Sequence, residues 1–405
     1  SKTHFQHLRS DRRKSPIMSY TVLDNSEDEI TEINHDNSKH ERRGWVSLCA
    51  AACMGFVFGF AIEKGNVYLP EVIVKQMLME DFTMLIMFLS AGATSVFFQC
   101  ILSLFRHTRE LVEIARANNT ERHSIILTVI GGGILGSGMA VCGACPGTIV
   151  VQMGTGIGYS FLAFVGCLIG TTLVSFILPH VDFAKHSISV EKSTVDRTLG
   201  VPMYWIGFPM VLLLAGVVVV FSIFFPYDGY HQSGWLLTYD TWPPYASGIL
   251  VGSLQLPGIL LVKNTIGSSS SYVVYISSIF HWVAPSLAER NGYLAGKYKL
   301  NVKNFWQPTY LLTAFIGGLV SAALSNSLYW TDPADKVGMG PALSIIGGLM
   351  IVAGSRIAGG CTSGHGLSGF SQLVWVSFLA VASMFAFGIA TAFIIQAAHG
   401  YPSFI

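Results

Sequence analysis

Nine stretches of this chain are each between 18 and 25 residues long and nearly free of charge: 45–62, 82–105, 124–143, 158–179, 203–226, 243–262, 306–327, 340–358 and 372–396. A helix rises about 1.5 Å per residue, so each is long enough to cross a hydrocarbon layer about 30 Å thick. In lipid the backbone must satisfy its own hydrogen bonds, which leaves only helices or closed barrels as spanning structures. Runs this long and this continuously apolar are helical. The fold class expected is an all-α polytopic membrane protein with about nine transmembrane helices. Composition agrees: 51% of the 405 residues are apolar and 12% are charged. That is about half the charged share of an average soluble domain. Shorter apolar pieces at 65–80, 146–157, 266–285 and 362–371 cannot cross and read as re-entrant or half-helix segments.

Lysine and arginine orient the spans. Segments 1–44, 106–123, 180–200 and 263–305 hold 20 basic residues, against 3 in 63–81, 227–242, 328–339 and 397–405. Positive charge is retained on the cytoplasmic side, so the N-terminus is expected inside and the C-terminus outside; the plasma membrane is the expected host. A net charge of +1 and the lack of a basic stripe exclude an electrostatic nucleic-acid binder. The expected organisation is a disordered polar tail (1–44), a first transmembrane repeat (45–179), a linking region containing the helix 203–226 (180–242), a second repeat (243–396) and a short tail (397–405). No signal peptide is visible, and the chain opens at Ser1 without an initiator methionine, so its natural start is expected upstream. Trp45, Trp242, Tyr245, Trp306, Tyr329 and Trp330 lie near span ends and read as interfacial anchors.

One motif occurs twice. Residues 131–147 read GGGILGSGMAVCGACPG and residues 347–363 read GGLMIVAGSRIAGGCTS. At a constant offset of 216, Gly131, Gly132, Gly138, Gly143 and Cys145 fall on Gly347, Gly348, Gly354, Gly359 and Cys361. More weakly, Gly55, Gly59 and Gly65 share the spacing of Gly248, Gly252 and Gly258. Four spans precede the linking helix, so the second set starts on the opposite side and the copies are expected as inverted repeats. Such repeats place a site near the midplane, at helices that break. Glycines alone equally suit close helix packing; a cysteine in register in both copies favours a site.

Proline lacks an N–H but fits the first turn of a helix, so a half-helix is expected to begin at Pro146, after a break at Gly143–Cys145. Its free N–H groups, beside Gly147, Thr148 and Gln152, suit an anion. The second copy offers Gly360, Cys361, Thr362, Ser363 and His365 at the same point. A thiol here is a soft S–H donor, suited to sulfur-containing anions. Arg356 is the basic residue inside a predicted span, where charge is a functional-site signal; His365 either donates to the anion or caps the half-helix. Cys142 and Cys145 form a C-x-x-C pair, open to a redox or packing reading; no second pair supports a metal. Cys49, Cys53, Cys100 and Cys167 read as buried small hydrophobes.

The stretches GSGMAVCGACPGTIVVQMGTG and AGGCTSGHGLSG resemble the paired signatures of the YeeE/YedE sulfur transport family, over most of 45–396. The resemblance implies an hourglass of inverted repeats that takes up thiosulfate, with Cys145 and Cys361 passing the anion along by hydrogen bonding. Two positions depart. Bacterial members carry a further cysteine in a motif G-F-x-x-x-R-G-x-x-C, where this chain has Gly59 to Tyr68 with Tyr68 at the cysteine place. Many relatives have an arginine where this chain has Gln152. Tyr68 is therefore a candidate first-half contact. The function expected is transport of thiosulfate or a related small sulfur anion across a lipid bilayer, not catalysis, with no cofactor. A soluble sulfur carrier or sulfurtransferase is a candidate partner. The alternatives are a membrane sulfurtransferase or thiol oxidoreductase using Cys142 and Cys145, and a non-transporting scaffold.

Overall fold

Each expected span is a helix. The computed structural model describes residues 27–119, 124–180, 193–227, 237–238, 241–295, 304–329, 338–398 and 400–401. The principal helices in chain order are α1 (Glu27–Lys64), α2 (Pro70–Met77), α3 (Thr83–Leu104), α4 (Arg106–Asn119), α5 (Ile125–Cys142), α6 (Thr148–Thr155), α7 (Ser160–Ile177), α8 (Val195–Leu199), α9 (Met203–Phe224), α10 (Pro244–Val262), α11 (Ser269–Val283), α12 (Trp306–Leu324), α13 (Pro341–Ala358), the π-helical α14 (Thr362–Gly369) and α15 (Trp375–Ala398), with short helical turns at Pro285–Arg290 and Gly292–Ala295 after α11. Among the described residues nine helices are long and apolar enough to cross a membrane: the Gly44–Lys64 part of α1, then α3, α5, α7, α9, α10, α12, α13 and α15. The protein is therefore a multi-pass, all-α membrane protein. Residues Ser1–Arg43 form one unit and Gly44–Ile405 the other. Helix α1 begins at Glu27, inside the segment read as a tail; residues 1–26 and Trp330 lie outside the described residues.

Glycines set how the spans meet. On α5 and α13, a Cβ at Gly131 would collide with the backbone of Ala358 and lie 2.7 Å from Gly354 O. At Gly347 it would lie 2.5 Å from Cys142 Cβ, and at Gly138 it would lie 3.0 Å from Gly347 O. Residue numbers rise along α5 as they fall along α13, so the two helices are antiparallel. These pairs also exchange when the copies are swapped: adding or subtracting 216 turns Gly131–Ala358 into Gly347–Cys142 and Gly131–Gly354 into Gly347–Gly138. Self-complementary pairing of this kind is what a two-fold axis produces.

The weaker glycine spacing behaves the same way. Gly55 and Gly59 of α1 abut the backbone carbonyls of Tyr310 and Ala314 on α12, while Gly248 and Gly252 of α10 abut those of Met87 and Ala91 on α3. The glycines are offset by 193 and their targets by 223 in both pairs, so α1 packs on α12 as α10 packs on α3. The third glycine pair does not repeat: Gly65 faces Ser247 and Met87, whereas Gly258 faces Asn264 and Met54. Small residues let backbones approach and gain dispersion contact where lipid supplies no hydrophobic drive.

The faces left over point away from the protein. Cys49 and Cys53 of α1 are exposed, which corrects the expectation that they are buried; Cys100 and Cys167 are buried as expected. Trp45 and Tyr245 are exposed near span ends, but Trp306 is buried, because α12 packs on two sides. Helix α9, with Pro209 inside it, buries only Met203, Gly207 and Val218 and packs along α3. Near the end of the second motif, the segment before α8 is clamped onto it: Val195 N donates to Leu373 O (2.9 Å) and Trp375 N to Ser193 O (3.1 Å). Arg116 of α4 ties both together, donating to Asp196 (2.6 Å) and to Gln372 O (2.9 Å).

Candidate functional site

Both motif helices stop at a left-handed glycine. Gly143 (φ 59°) caps α5 with its N–H on Met139 O at 2.9 Å, and Gly359 (φ 85°) caps α13 with its N–H on Arg356 O at 3.3 Å. Any side chain is strained at such a φ, which is why this residue type ends helices. Two residues later comes the cysteine, followed by a short helix. The carbonyl of Cys145 accepts the N–H of Ile149 (3.1 Å) and that of Cys361 accepts the N–H of His365 (2.8 Å), four residues on in each case. The first short helix starts at Thr148 rather than at Pro146. The reason is local: Cys145 N donates to Thr148 Oγ1 at 2.7 Å, and Tyr272 OH takes the Pro146 carbonyl at 2.7 Å, which holds Pro146–Gly147 in a turn.

Each thiol faces donors from the start of its own short helix. Thr148 N lies 3.4 Å from Cys145 Sγ, and the Gly147 N–H also reaches that sulfur. Ser363 Oγ lies 3.2 Å from Cys361 Sγ, which the Gly364 N–H and the backbone and hydroxyl of Ser269 also reach. The two thiols are within electrostatic reach of one another. The N-terminus of α11 lies between them. Ser268 N donates to Ser363 Oγ at 3.4 Å, and a Cβ on Gly147 would lie 3.0 Å from Ser268 Oγ.

Two hydroxyls in this region are buried with no hydrogen-bond partner, Ser268 Oγ and Tyr310 OH. Tyr310 is within electrostatic reach of both Cys361 and Cys145, and its ring packs 5.5 Å from that of Phe58, which also lines Gly147. Arg356 is 7% exposed and so does not snorkel. Its Nε donates to Tyr293 OH (2.9 Å) and its Nη1 to Ser270 Oγ (3.2 Å) and Ser269 Oγ (3.5 Å). Ser269 thus links the guanidinium to the Cys361 thiol.

Over residues 64–391 the chain matches the family described as sulphur transport. The chain belongs to that sulphur transport (YeeE/YedE) family. It is also 24% identical over 351 residues to the thiosulfate transporter TsuA of Spirochaeta thermophila, a match covering 83% of this chain and 94% of that protein. The protein is accordingly a membrane transporter of the sulphur transport family.

In this family member the expected residues divide by what their side chains already hold. Gln152 donates from Nε2 to Tyr68 O (2.8 Å) and to Gly143 O (2.9 Å), tying the break to the segment before α2. Ser368, its counterpart at the offset of 216, donates to Ile266 O (2.6 Å) before α11. His365 lies between Ser377 Oγ (3.0 Å on Nδ1) and Ala358 O (3.2 Å on Nε2), so the network places its proton on Nε2, where it caps α13. A Cβ at Gly360 would lie 2.9 Å from that ring. The Thr362 hydroxyl reaches Met139 Sδ and Met384 Sδ, both at 3.4 Å. Cys142 is buried against Gly347 in the α5–α13 contact. The hydroxyl of Tyr68 turns away from the thiols to Tyr329 and Ser327.

Sequence reasoning missed Ser268, Ser269, Tyr272, Tyr310, Glu63 and Lys64. A signal existed for the first two, since four consecutive serines, Ser268–Ser271, open an otherwise apolar piece. Tyr310 gives none, being a tyrosine inside a span. Glu63 and Lys64 were read as loop charges because they follow an apolar run, yet they are 1% and 0% exposed.

Proposed function

We propose that this protein carries thiosulfate or a related small sulfur anion, passing it between Cys145 and Cys361 at the meeting of two inverted repeats. The observation that carries this reading is the surplus of buried donors. Two thiols set among N–H groups and the unpartnered hydroxyls of Ser268 and Tyr310 converge near the Arg356 guanidinium, which Ser269 links to Cys361. A buried donor without an acceptor is costly, so the region suits a guest made almost entirely of acceptor atoms. A small oxyanion is such a guest. Its sulfur suits the soft S–H groups, and the helix N-termini at Thr148 and Thr362 complement its charge.

The inverted-repeat reading is supported by the exchange of contact pairs at α5–α13 and at α1–α12 with α10–α3. The non-spanning α2, α6, α11 and α14 occupy equivalent places and are read as re-entrant segments. The anion leaves water at one face, is drawn by Arg356 and the helix N-termini, and is handed from one thiol to the other by exchange of hydrogen bonds. Gln152 and His365 act as positioning residues, because their donors hold the backbone at the two breaks. The N-terminus is cytoplasmic and the C-terminus outside, as the distribution of basic residues argues; the host is taken to be the plasma membrane.

The test is uptake of radiolabelled thiosulfate into proteoliposomes, with excess sulfate as competitor. Uptake that resists sulfate and is lost in a folded Cys145→Ala/Cys361→Ala variant is the expected outcome. Full uptake by that variant rejects the thiol path, and an absence of uptake by the intact protein rejects the substrate.

A further inference from the structure

A cavity of about 480 Å³ lies between the end of α3, α4, α8 and the start of α9, and none of its wall belongs to the thiol site. It is open to the surface: Arg109, Arg197, Gly200 and Pro202 in its wall are exposed, and a Cβ on Gly200 would meet nothing within 4 Å. Small-molecule pockets span about 300–1,000 Å³, so there is room for a guest. The wall carries a surplus of positive charge, with Arg109, Arg116 and Arg197 against Glu113 and Asp196. Both carboxylates are engaged. Glu113 accepts from Arg116 Nη1 at 3.0 Å and from Arg197 Nη2 at 2.5 Å, and Asp196 accepts from Arg116 Nη2 at 2.6 Å. Arg109, one turn before Glu113, makes no side-chain hydrogen bond or ion pair among the described residues, and neither does the Tyr204 hydroxyl. An exposed opening with a spare guanidinium and a spare O–H is built to receive an anion.

Position decides which anion. Ser103 is in the last turn of the spanning α3, and Met203 and Tyr204 open the spanning α9, so the cavity sits where two spans leave the hydrocarbon. Apolar side chains flank it: Leu104, Phe105, Leu199 and Trp205 are all exposed. From there α9 runs on with only Met203, Gly207 and Val218 buried, which leaves an apolar face for an acyl chain to lie on. Guanidinium N–H groups pair with phosphate oxygens. Basic pockets between spans at the cytoplasmic face take anionic lipid headgroups in this way. A soluble phosphate would meet the same arginine but gain nothing from the apolar flanks.

We propose that this cavity binds the phosphate headgroup of an anionic phospholipid of the cytoplasmic leaflet, and that the bound lipid braces α4 and α8 over the end of the second motif. Arg109 and the Tyr204 hydroxyl donate to the phosphate, and the acyl chains lie along α9. The brace follows from the shared wall. Arg116 also donates to Gln372 O at 2.9 Å, and the segment entering α8 pairs with the chain beyond α14 through Val195 N on Leu373 O (2.9 Å) and Trp375 N on Ser193 O (3.1 Å). A headgroup that joins Arg109 on α4 to Tyr204 just past α8 therefore closes the clamp from its outer side. The leaflet follows from the orientation read above, and the site is independent of which anion is transported.

The experiment is thermal unfolding of the full chain in neutral detergent, titrated with phosphatidylglycerol, phosphatidylcholine or soluble glycerol 3-phosphate, beside native mass spectrometry to count retained lipid. A ligand held by the native state raises stability with its concentration. Phosphatidylglycerol is expected to raise Tm to a plateau and to remain bound, and the other two are not. Arg109→Gln, which has no protein partner to lose, is expected to raise the half-saturating lipid concentration about fivefold. Val201→Glu, which sets a carboxylate in the cavity wall, is expected to abolish the shift. Arg290→Gln, an exposed arginine outside the cavity, is expected to leave it unchanged. Equal shifts with phosphatidylcholine, equal weakening by Arg109→Gln and Arg290→Gln, or no shift at all overturns the site. A shift of the same size with glycerol 3-phosphate overturns the lipid and leaves a site for soluble phosphates. Amide exchange at Val195 and Trp375 is expected to slow with bound lipid, and unchanged exchange overturns the brace. The Tm of each variant in lipid-free detergent shows that it folds; should one fail, the other decides.

Discussion

Replacing Gln152 by leucine separates a positioning residue from an anion contact. The side chain is 2% exposed, and Nε2 spans the Tyr68 and Gly143 carbonyls at 2.8 and 2.9 Å. Leucine is close to glutamine in size, so little packing volume is lost and what goes is the donor to two buried acceptors. Each buried carbonyl left unmet costs about 1–3 kcal/mol, so Gln152→Leu should destabilise the protein by roughly 2–6 kcal/mol. Against a typical total of about 5–15 kcal/mol this is a large share. The counterpart Ser368→Ala loses one donated bond, to Ile266 O at 2.6 Å, and one accepted from Gln255 Nε2 at 2.8 Å, and should cost less. The assay is the fraction remaining monodisperse after heating in detergent, read by size-exclusion chromatography beside thiosulfate uptake. A Gln152→Leu variant as heat-resistant as wild type, with only its KM for thiosulfate raised, refutes the positioning role and makes Gln152 a direct contact.

Tyr310→Phe and Ser268→Ala remove hydroxyls that have no protein partner, so each should raise the thiosulfate KM about 5–15-fold, for a bond worth about 1–1.5 kcal/mol, without loss of thermal stability. Arg356→Gln should lower uptake at limiting thiosulfate by at least tenfold, in keeping with about 1.5–3 kcal/mol for a charged hydrogen bond; equal initial rates at low substrate would argue against it. Cys142→Ser should leave uptake within about twofold of wild type, well under the tenfold that 1.4 kcal/mol brings, because its place is the helix contact; loss of turnover with trapped persulfide would instead restore the enzyme reading. Gly59→Leu and Gly252→Leu should each destabilise by about 1–3 kcal/mol or more in heat-challenge assays, since both drive a side chain into a neighbouring backbone. Gly216→Leu, with nothing within 4 Å, should be neutral, and equal behaviour of all three would undo the exchange of helix contacts.

Most of the architecture was legible because the membrane imposes a one-dimensional rule. A helix that must satisfy its own backbone across about 30 Å declares itself by length and by freedom from charge. The nine spans and the four shorter pieces follow from that rule alone. The breaks were legible for a related reason: a left-handed cap demands glycine, so Gly143 and Gly359 mark the helix ends in the residue type itself. The paired cysteines, at one fixed distance after those glycines, carried the family.

Side-chain direction was not legible. Nothing in the order of residues says that α1 turns its Gly55–Gly59 face to α12, which leaves Cys49 and Cys53 outside and buries Glu63 and Lys64. Gln152 and His365 carry groups that could hold an anion, and only the fold shows their donors already holding carbonyls. Tyr310 reached the site through the packing of α1 on α12, and it lies more than 160 positions from both Cys145 and the glycine it covers on α1. The sequence by itself determined the spans, their breaks and the duplicated thiol motif, since each depends on local backbone chemistry and length. Only the tertiary structure decided which donors are left without acceptors and which charges are shut away from solvent, because both depend on which faces of distant helices meet.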